Sequence, residues 1–336
     1  MIDKTQIICT SSFDPYHNQA LEEYLFDHVA DDTCILYLWQ NRQTVVIGQN
    51  QNAWQECRVR ELEQDGGHLA RRLSGGGAVF HDLGNLNFTF AVPRRAYDVA
   101  RQSEVICRAV ASYGLHVERS GRNDITVDGR KFSGNAFFKR GDKAYHHGTL
   151  LISSDMLQVS KYLNVPQDKL RSKGVRSVAA RVANLSDFCP DITVDSIKER
   201  LAQALADVYG AAPQTLTEAD CDAQAIAALT QKYASWEWRF GRKIPFEHEI
   251  AERFPWGGIS IQLSAEGGVI THAAVYSDAM DSVFIHQLSE CLAGQPYSSA
   301  ALRRALSGLV VDAELGYEAT PQMLSDIDGL LARQNF

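Results

Sequence analysis

The stretch Arg71-Arg-Leu-Ser-Gly-Gly-Gly-Ala-Val-Phe-His-Asp82 contains residue types suited to gripping an anion. Three consecutive glycines cost backbone entropy, so they usually occupy positions that a Cβ would forbid. A loop of this kind can bring backbone N–H groups close to an anionic ligand. Arg71 and Arg72 just before it carry permanent charge and forked donors suited to phosphate or carboxylate. The loop has no Gly-Lys-Ser/Thr ending, and a strand pattern rather than a helix follows it. That excludes a Walker loop and a dinucleotide fingerprint. On spacing alone, a Gly-rich turn with solvated arginines is an equal reading.

Three more segments carry candidate chemistry. Lys131 lies in Gly129-Arg-Lys-Phe-Ser-Gly134, where Ser133-Gly134 again permits close approach of a ligand. A lysine beside a hairpin is ordinarily a solvated edge charge, so it needs support from elsewhere. His146-His-Gly-Thr149 opens an apolar strand. Adjacent histidines face opposite sides of a strand and cannot form a simple metal pair, and no cysteine or HExxH spacing accompanies them. Ser172-Lys-Gly-Val-Arg-Ser-Val-Ala-Ala-Arg181 is a basic loop able to close over phosphates, or an ordinary exposed loop.

The elements that must position these residues follow from local pattern. Asp14 and Pro15 start a helix in which Leu21, Tyr24, Leu25, His28 and Val29 recur at helical spacing. Cys34–Trp39 and Thr44–Ile47 read as a hairpin through Asn41-Arg42, and a short helix runs from about Ala53 to Glu63. Ala78–Phe80 and Leu86–Val92 flank the turn Asp82-Leu-Gly-Asn85. A helix from about Asp98 to Tyr113 closes on Gly114. Ile125–Val127 and Arg130–Phe132 flank Asp128-Gly129, a strong two-residue hairpin signal, and Phe137-Phe138 and Tyr145–Ile152 flank Arg140-Gly-Asp142. Such short connections impose antiparallel pairing. The expected body is a mixed, mainly antiparallel sheet with helices packed on it, an α+β class. A helix from about Asp195 to Tyr209 stops at Gly210, and the pattern loosens over 211–245. Ile259–Leu263 and Val269–Tyr276 form a last hairpin through Glu266-Gly-Gly268, before helical patterns reaching Leu331.

The 336 residues exceed what one core usually serves, so two domains are expected, 1–245 and 246–336, with the boundary near 243–250. Apolar residues at 45% and charged residues at 22% fit a globular chain, and no apolar run approaches membrane-span length. A formal charge of -8 argues against broad nucleic-acid binding. The seven cysteines are odd in number, scattered and without a Cys-x-x-Cys pair, as a reducing cytoplasm leaves them, and most are expected to be small buried hydrophobes. The first residues lack a secretory pattern, so a cytoplasmic location is expected.

Taken together these segments resemble the type A lipoate–protein ligases of the biotin/lipoate protein ligase family. Arg71 to Asn85 looks like the family's lipoate- and nucleotide-binding signature. Gly121-Arg-Asn-Asp124, Lys131-Phe-Ser-Gly134 and His146-His-Gly-Thr-Leu150 look like the segments that complete the pocket. Lys173 through Arg181 to Asn184 is similar to the adenylate-binding loop. Ser235-Trp-Glu-Trp-Arg-Phe-Gly241 resembles the end of the catalytic domain, and Phe254-Pro-Trp-Gly-Gly258 the opening of the accessory domain. Phe132 and Asn135 vary within the lysine motif, whose Lys, Ser and Gly are kept, and little is read into either.

The resemblance implies the fold of class II aminoacyl-tRNA synthetases and biotin ligases, with a small α+β C-terminal accessory domain. It implies ATP with Mg²⁺, lipoate, and acceptors that are apo lipoyl domains of 2-oxoacid dehydrogenase E2 subunits and the glycine cleavage H protein. Carried over by position, Arg72, Gly77, Ala78, Val79, Phe80, Asp124, Lys131, Thr149 and Arg181 are expected at the nucleotide. Ser74, Gly75, Gly76, His81, Asn85, Lys131 and His147 are expected at lipoate, with Lys131 and Arg72 catalytic and the metal ligands unassigned. An octanoyl or lipoyl transferase on the same fold would need a thiolate near the pocket, and Cys189 is the nearest cysteine in sequence. A non-catalytic lipoate-binding module would be expected to lose the lysine or the arginines, all of which are present.

Overall fold

The computed structural model describes residues 2–121, 123–164, 182–241, 246–309, 319–334 and 336. The chain divides into two compact units, one of residues 1–46, 57–70 and 79–235, the other of residues 47–56, 71–78 and 236–336. The basic segment 172–181 with Arg181, and Arg122, lie outside the described residues.

In chain order the strands up to residue 235 are β1 (Lys4–Cys9), β2 (Thr33–Trp39), β3 (Thr44–Ile47), β4 (His68–Arg71), β5 (Val79–His81), β6 (Asn85–Pro93), β7 (Val117–Ser120), β8 (Asp124–Val127), β9 (Arg130–Arg140), β10 (Lys143–Leu151) and β11 (Gln214–Leu216). Eight of them form one sheet in the order β11-β1-β2-β6-β10-β9-β8-β7, while β3, β4 and β5 form a separate small sheet. In the large sheet β1 pairs in parallel with β11 and β2. The remaining pairings are antiparallel, so the sheet is mixed and mainly antiparallel, as expected.

The principal helices of this unit are α1 (Pro15–His28), α2 (Val99–Ala111), α3 (Val194–Tyr209) and α4 (Ala223–Ala234). On β6 the sequence alternates strictly, so Leu86, Phe88, Phe90 and Val92 share one face. There they join Val105, Ile106 and Val110 of α2 and Ile197, Leu201 and Leu205 of α3 in one apolar core. Each such side chain contributes roughly 1.5–3 kcal/mol on burial, enough to fix the register of the sheet. Asn85, Asn87 and Thr89 occupy the opposite face and are buried as well.

Several expectations change. Cys34–Trp39 and Thr44–Ile47 do not pair as a hairpin, because both edges of β2 are taken by β1 and β6. Ala78–Phe80 and Leu86–Val92 also part, into different sheets, since β6 lies between β2 and β10. The Asp82–Asn85 turn is anchored elsewhere, with Asp82 accepting from the Gly84 and Asp155 backbone N–H groups. The helix expected over Ala53–Glu63 breaks into Ala53–Glu56 and Val59–Gln64, because Cys57 bridges to Leu163 and Arg58 N–H donates to Tyr162. In α1 the expected face is only partly buried: His28 is exposed, while the polar Asn18, Gln19, Glu22 and Glu23 are buried. Only Cys34 and Cys57 are buried cysteines; Cys107, Cys189, Cys221 and Cys291 are half-buried and Cys9 is exposed. Cys107 and Cys189 graze the core from its margin.

In the second unit β12 (His248–Phe254), β13 (Gly257–Glu266) and β14 (Val269–Ser277) form an antiparallel sheet. Helices α5 (Ser282–Leu292), α6 (Ser299–Ser307) and α7 (Thr320–Ala332) supply Leu288, Leu302 and Ile327 to its core. Among the described residues no helix is long and apolar enough to cross a membrane.

The turn that brings Lys131 back along β8 has φ of 49° at Asp128 and 73° at Gly129, the geometry the dipeptide leads one to expect. Gly129→Ala should lower stability by about 1 kcal/mol in urea denaturation, because a Cβ is disfavoured at that φ. An unchanged midpoint would show that the turn accommodates the Cβ.

Candidate active site

Lys131 stands on β9 with its Nζ 2.7 Å from Asp124 Oδ1, and each side chain is about one-third exposed. A bulge sets this geometry. Ile125 faces Ser133 but Thr126 faces Lys131, so β9 carries one extra residue there, Phe132, whose ring is buried in the core. Bulges re-aim side chains, and this one brings Lys131 alongside Gly134, three residues away. A Cβ on Gly134 would lie 3.0 Å from Lys131 Nζ and 3.8 Å from Thr149 Oγ1. The Gly134 N–H donates to Thr149 Oγ1 at 3.3 Å. Ala183 N–H covers the edge of the strand by donating to Lys131 O. Lys131, Asp124 and Thr149 thus come together, around a glycine that leaves the ammonium room.

On the sheet face packed by α1, a second group of expected residues meets a buried polar network. His147 Nδ1 is 2.7 Å from Glu22 Oε1, and Thr89 Oγ1 donates to the same oxygen at 2.6 Å. Trp39 Nε1 donates to Thr89 Oγ1, and the Trp39 ring stands edge-on to His81 at 6.0 Å. His81 Nδ1 is 3.2 Å from Asn41 Nδ2. Asn85 donates to Asn87, which donates in turn to Trp39 O. Burial raises the Tyr37 hydroxyl well above its ordinary range, with Glu22 adding to it, so that group stays protonated. Glu22, Trp39, Asn41, Asn87 and Thr89 were not singled out in the sequence. The available signal was Asn18, Gln19, Glu22 and Glu23 at helical spacing in a helix too central to be solvated.

Arg72, Ser74, Gly75, Gly76, Gly77 and Ala78 belong to the second unit. Two of the three glycines sit where a Cβ is disfavoured, Gly75 because the protein's own backbone fills the space and Gly76 because of its positive φ. A Cβ on Gly75 would lie 2.3 Å from Ala279 O, and Gly76, at φ 89°, donates to that same oxygen. Gly77 is open and exposed. The buried Arg71 guanidinium donates to the carbonyls of Gly48, Gln49, Gln51, Trp238 and Arg239, so it braces this segment. Arg72, also buried, donates to Ser74 Oγ and to the carbonyls of Gly75 and Gly77, shaping the loop from within. Val79 is half-buried, and the Phe80 ring stacks on Tyr162 at 5.6 Å. Among the described residues no group of three or more His, Cys, Asp or Glu could hold a metal ion.

The sequence matches the lipoyl protein ligase A/B catalytic domain over residues 14–206 and the bacterial lipoate protein ligase C-terminus over residues 243–327. P. falciparum LipL1, solved in complex with lipoate, is 25% identical with a TM-score of 0.86, the match covering 98% of this chain and 100% of that one. A bi-partite lipoate protein ligase from Thermoplasma acidophilum, studied with its E2 lipoyl domain, is 25% identical with a TM-score of 0.64, covering 72% and 98%. A lipoate-protein ligase A bound with ATP, 24% identical with a TM-score of 0.60 and covering 72% and 99%, shares the fold.

His146, next to His147 but facing the apolar core, is fully buried, and burial pushes its pKa down to about 3, with His147 and Arg119 adding to the shift. The unfolded chain protonates this residue near pH 6.5 and the folded chain does not, so below 6.5 the unfolded state binds the extra proton. Stability is therefore lost as pH falls from 6.5 toward 3. In urea denaturation, His146→Leu should gain on the wild type by ~2 kcal/mol between pH 6.5 and pH 5. An unchanged difference would show that His146 takes its proton in the folded protein.

Proposed function

From the premise that this chain belongs to the lipoyl protein ligase A/B catalytic domain family, we propose that it uses ATP to activate lipoate as lipoyl-AMP and attaches the lipoyl group to a lysine of an acceptor protein. The observation that carries this reading is Lys131, held 2.7 Å from Asp124 beside the small Gly134. The match to a bacterial lipoate protein ligase C-terminus supports ligation, and the lipoate held by P. falciparum LipL1 supports the choice of acid. Residues 1–245 would serve as the catalytic portion and 246–336 as the accessory one.

In the first step a lipoate carboxylate oxygen attacks the α-phosphorus of ATP, and the bond to pyrophosphate breaks. Two anions approach each other, so cations must offset their repulsion and the charge that develops. Lys131 is the group best placed for this within the first unit, with Asp124 fixing where its ammonium points. Arg72 serves the nucleotide as well, and its grip on Ser74, Gly75 and Gly77 would be exchanged for phosphate. Magnesium enters as part of the Mg·ATP substrate. In the second step the acceptor amine attacks the carbonyl carbon of the mixed anhydride and AMP leaves. Lys131 polarises the carbonyl oxygen, and no residue of the enzyme is covalently modified.

The remaining residues keep the roles the resemblance gives them. Gly77, Ala78, Val79, Phe80, Asp124, Thr149 and Arg181 serve the nucleotide; Ser74, Gly75, Gly76, His81, Asn85 and His147 serve lipoate. The Glu22–His147–Thr89 network adds a reason for His147, since a ring nitrogen tied to Glu22 fixes the orientation of the imidazole. The acceptors are apo lipoyl domains of E2 subunits and the H protein. A cysteine-dependent transferase gains no support: burial raises the thiols of Cys34 and Cys57 to about 12, and Cys189 packs against the core.

Lys131→Ala should lower lipoate-dependent exchange of pyrophosphate into ATP by roughly 10²–10³-fold, the scale of losing one transition-state donor. Wild-type exchange in that variant would remove Lys131 from the chemistry.

A further inference from the structure

Two residues that line a small cavity with Asp124 have no part in the proposed chemistry so far. The His146 ring is fully buried and lies 5.4 Å from Phe88, 6.0 Å from Phe90 and 5.1 Å from Phe137. An apolar side chain would suit that setting without any polar group to satisfy. What the imidazole adds is Nε2, 2.8 Å from Asn135 Oδ1.

The direction of that bond follows from the partners of Asn135. Its Nδ2 donates to Asn123 O at 2.9 Å, which leaves Oδ1 as the acceptor and places the proton on His146 Nε2. The Asn135 backbone N–H donates to the same carbonyl at 2.9 Å, and Asn123 Nδ2 donates back to Asn135 O at 3.2 Å. Three hydrogen bonds therefore clamp Asn123, the residue before Asp124. Gly148 makes room for the amide, since a Cβ there would lie 2.8 Å from Asn135 Oδ1. Asn123, Asp124, Asn135 and His146 also line one small cavity of about 20 Å³, so they form a contiguous group.

We propose that His146 and Asn135 are positioning residues for Lys131: the imidazole orients the Asn135 amide, the amide clamps Asn123, and the clamp holds Asp124 against the lysine. This rests on the reading that Lys131 activates the nucleotide. The histidine acts through two intervening residues and touches no substrate.

The test compares His146→Gln, His146→Leu and Asn135→Asp in the full chain, with lipoate-dependent ATP–pyrophosphate exchange measured at saturating ATP and lipoate beside thermal unfolding. Glutamine keeps a donor near Nε2, whereas leucine keeps only packing. A purely structural role therefore ranks leucine at or above glutamine in exchange as in stability. The clamp predicts the opposite order for exchange: His146→Leu falls about 10- to 100-fold, the scale of a small misplacement of a reacting group, while His146→Gln recovers most of the rate. Asn135→Asp keeps the acceptor for His146 but loses the donor to Asn123, and its exchange falls similarly even if the leucine variant fails to fold. Equal rates in the glutamine and leucine variants, or wild-type exchange in Asn135→Asp, would overturn the clamp and leave the activity reading intact. Absence of exchange in the wild type would overturn both.

Discussion

The 2.7 Å pair between Lys131 and Asp124 is the interaction around which the first unit is arranged. As a partly exposed ion pair it contributes little stability, on the order of 0–1 kcal/mol. Its value is directional, and several features elsewhere serve that direction. The Asp128-Gly129 turn returns the chain, the bulge at Phe132 rotates Lys131 toward Gly134, and Gly134 keeps the space clear. Phe132 in turn is held by the apolar core beneath the sheet, so the position of the cation is set by packing that never touches it.

That core explains how one sheet serves two purposes. Alternation along β6 puts Leu86, Phe88 and Phe90 against the helices that stabilise the fold, and Asn85, Asn87 and Thr89 on the opposite face, where Thr89 meets Glu22 of α1. The polar face is buried too, which is costly unless its groups are satisfied. Glu22, Thr89, His147 and Trp39 satisfy one another in a connected network, and a network of that kind specifies a single arrangement. Adjacent residues His146 and His147 show the same division, one among phenylalanine rings and the other on a carboxylate.

Much of this was legible in the sequence because it is written locally. The Asp128-Gly129 hairpin, the Gly210 helix stop at φ 82° and the Asp14 cap each depend on a few adjacent residues. The α+β class followed from short connections between strand patterns. Pairing partners were less legible: Thr44–Ile47 and Val79–His81 have good strand sequences, but which strands they join depends on edges already occupied by β1, β2, β6 and β10. Lys131 was singled out through its motif, whereas the bulge that aims it is a property of two strands together. Arg71 misled for a related reason. Its fork suits phosphate, but it suits backbone carbonyls equally well, and only the fold shows that Gly48, Gln49, Gln51, Trp238 and Arg239 take it. Glu22 and Asn135 lay unread because their partners are far along the chain or across a strand.

The most direct measurement is the intact mass of an apo lipoyl domain after incubation with this protein, lipoate and Mg²⁺, with and without ATP. Addition of one lipoyl group only when ATP is present, with AMP released, is the result this account predicts. An unmodified domain in the presence of ATP, together with acyl transfer from an octanoyl carrier protein in its absence, would contradict it.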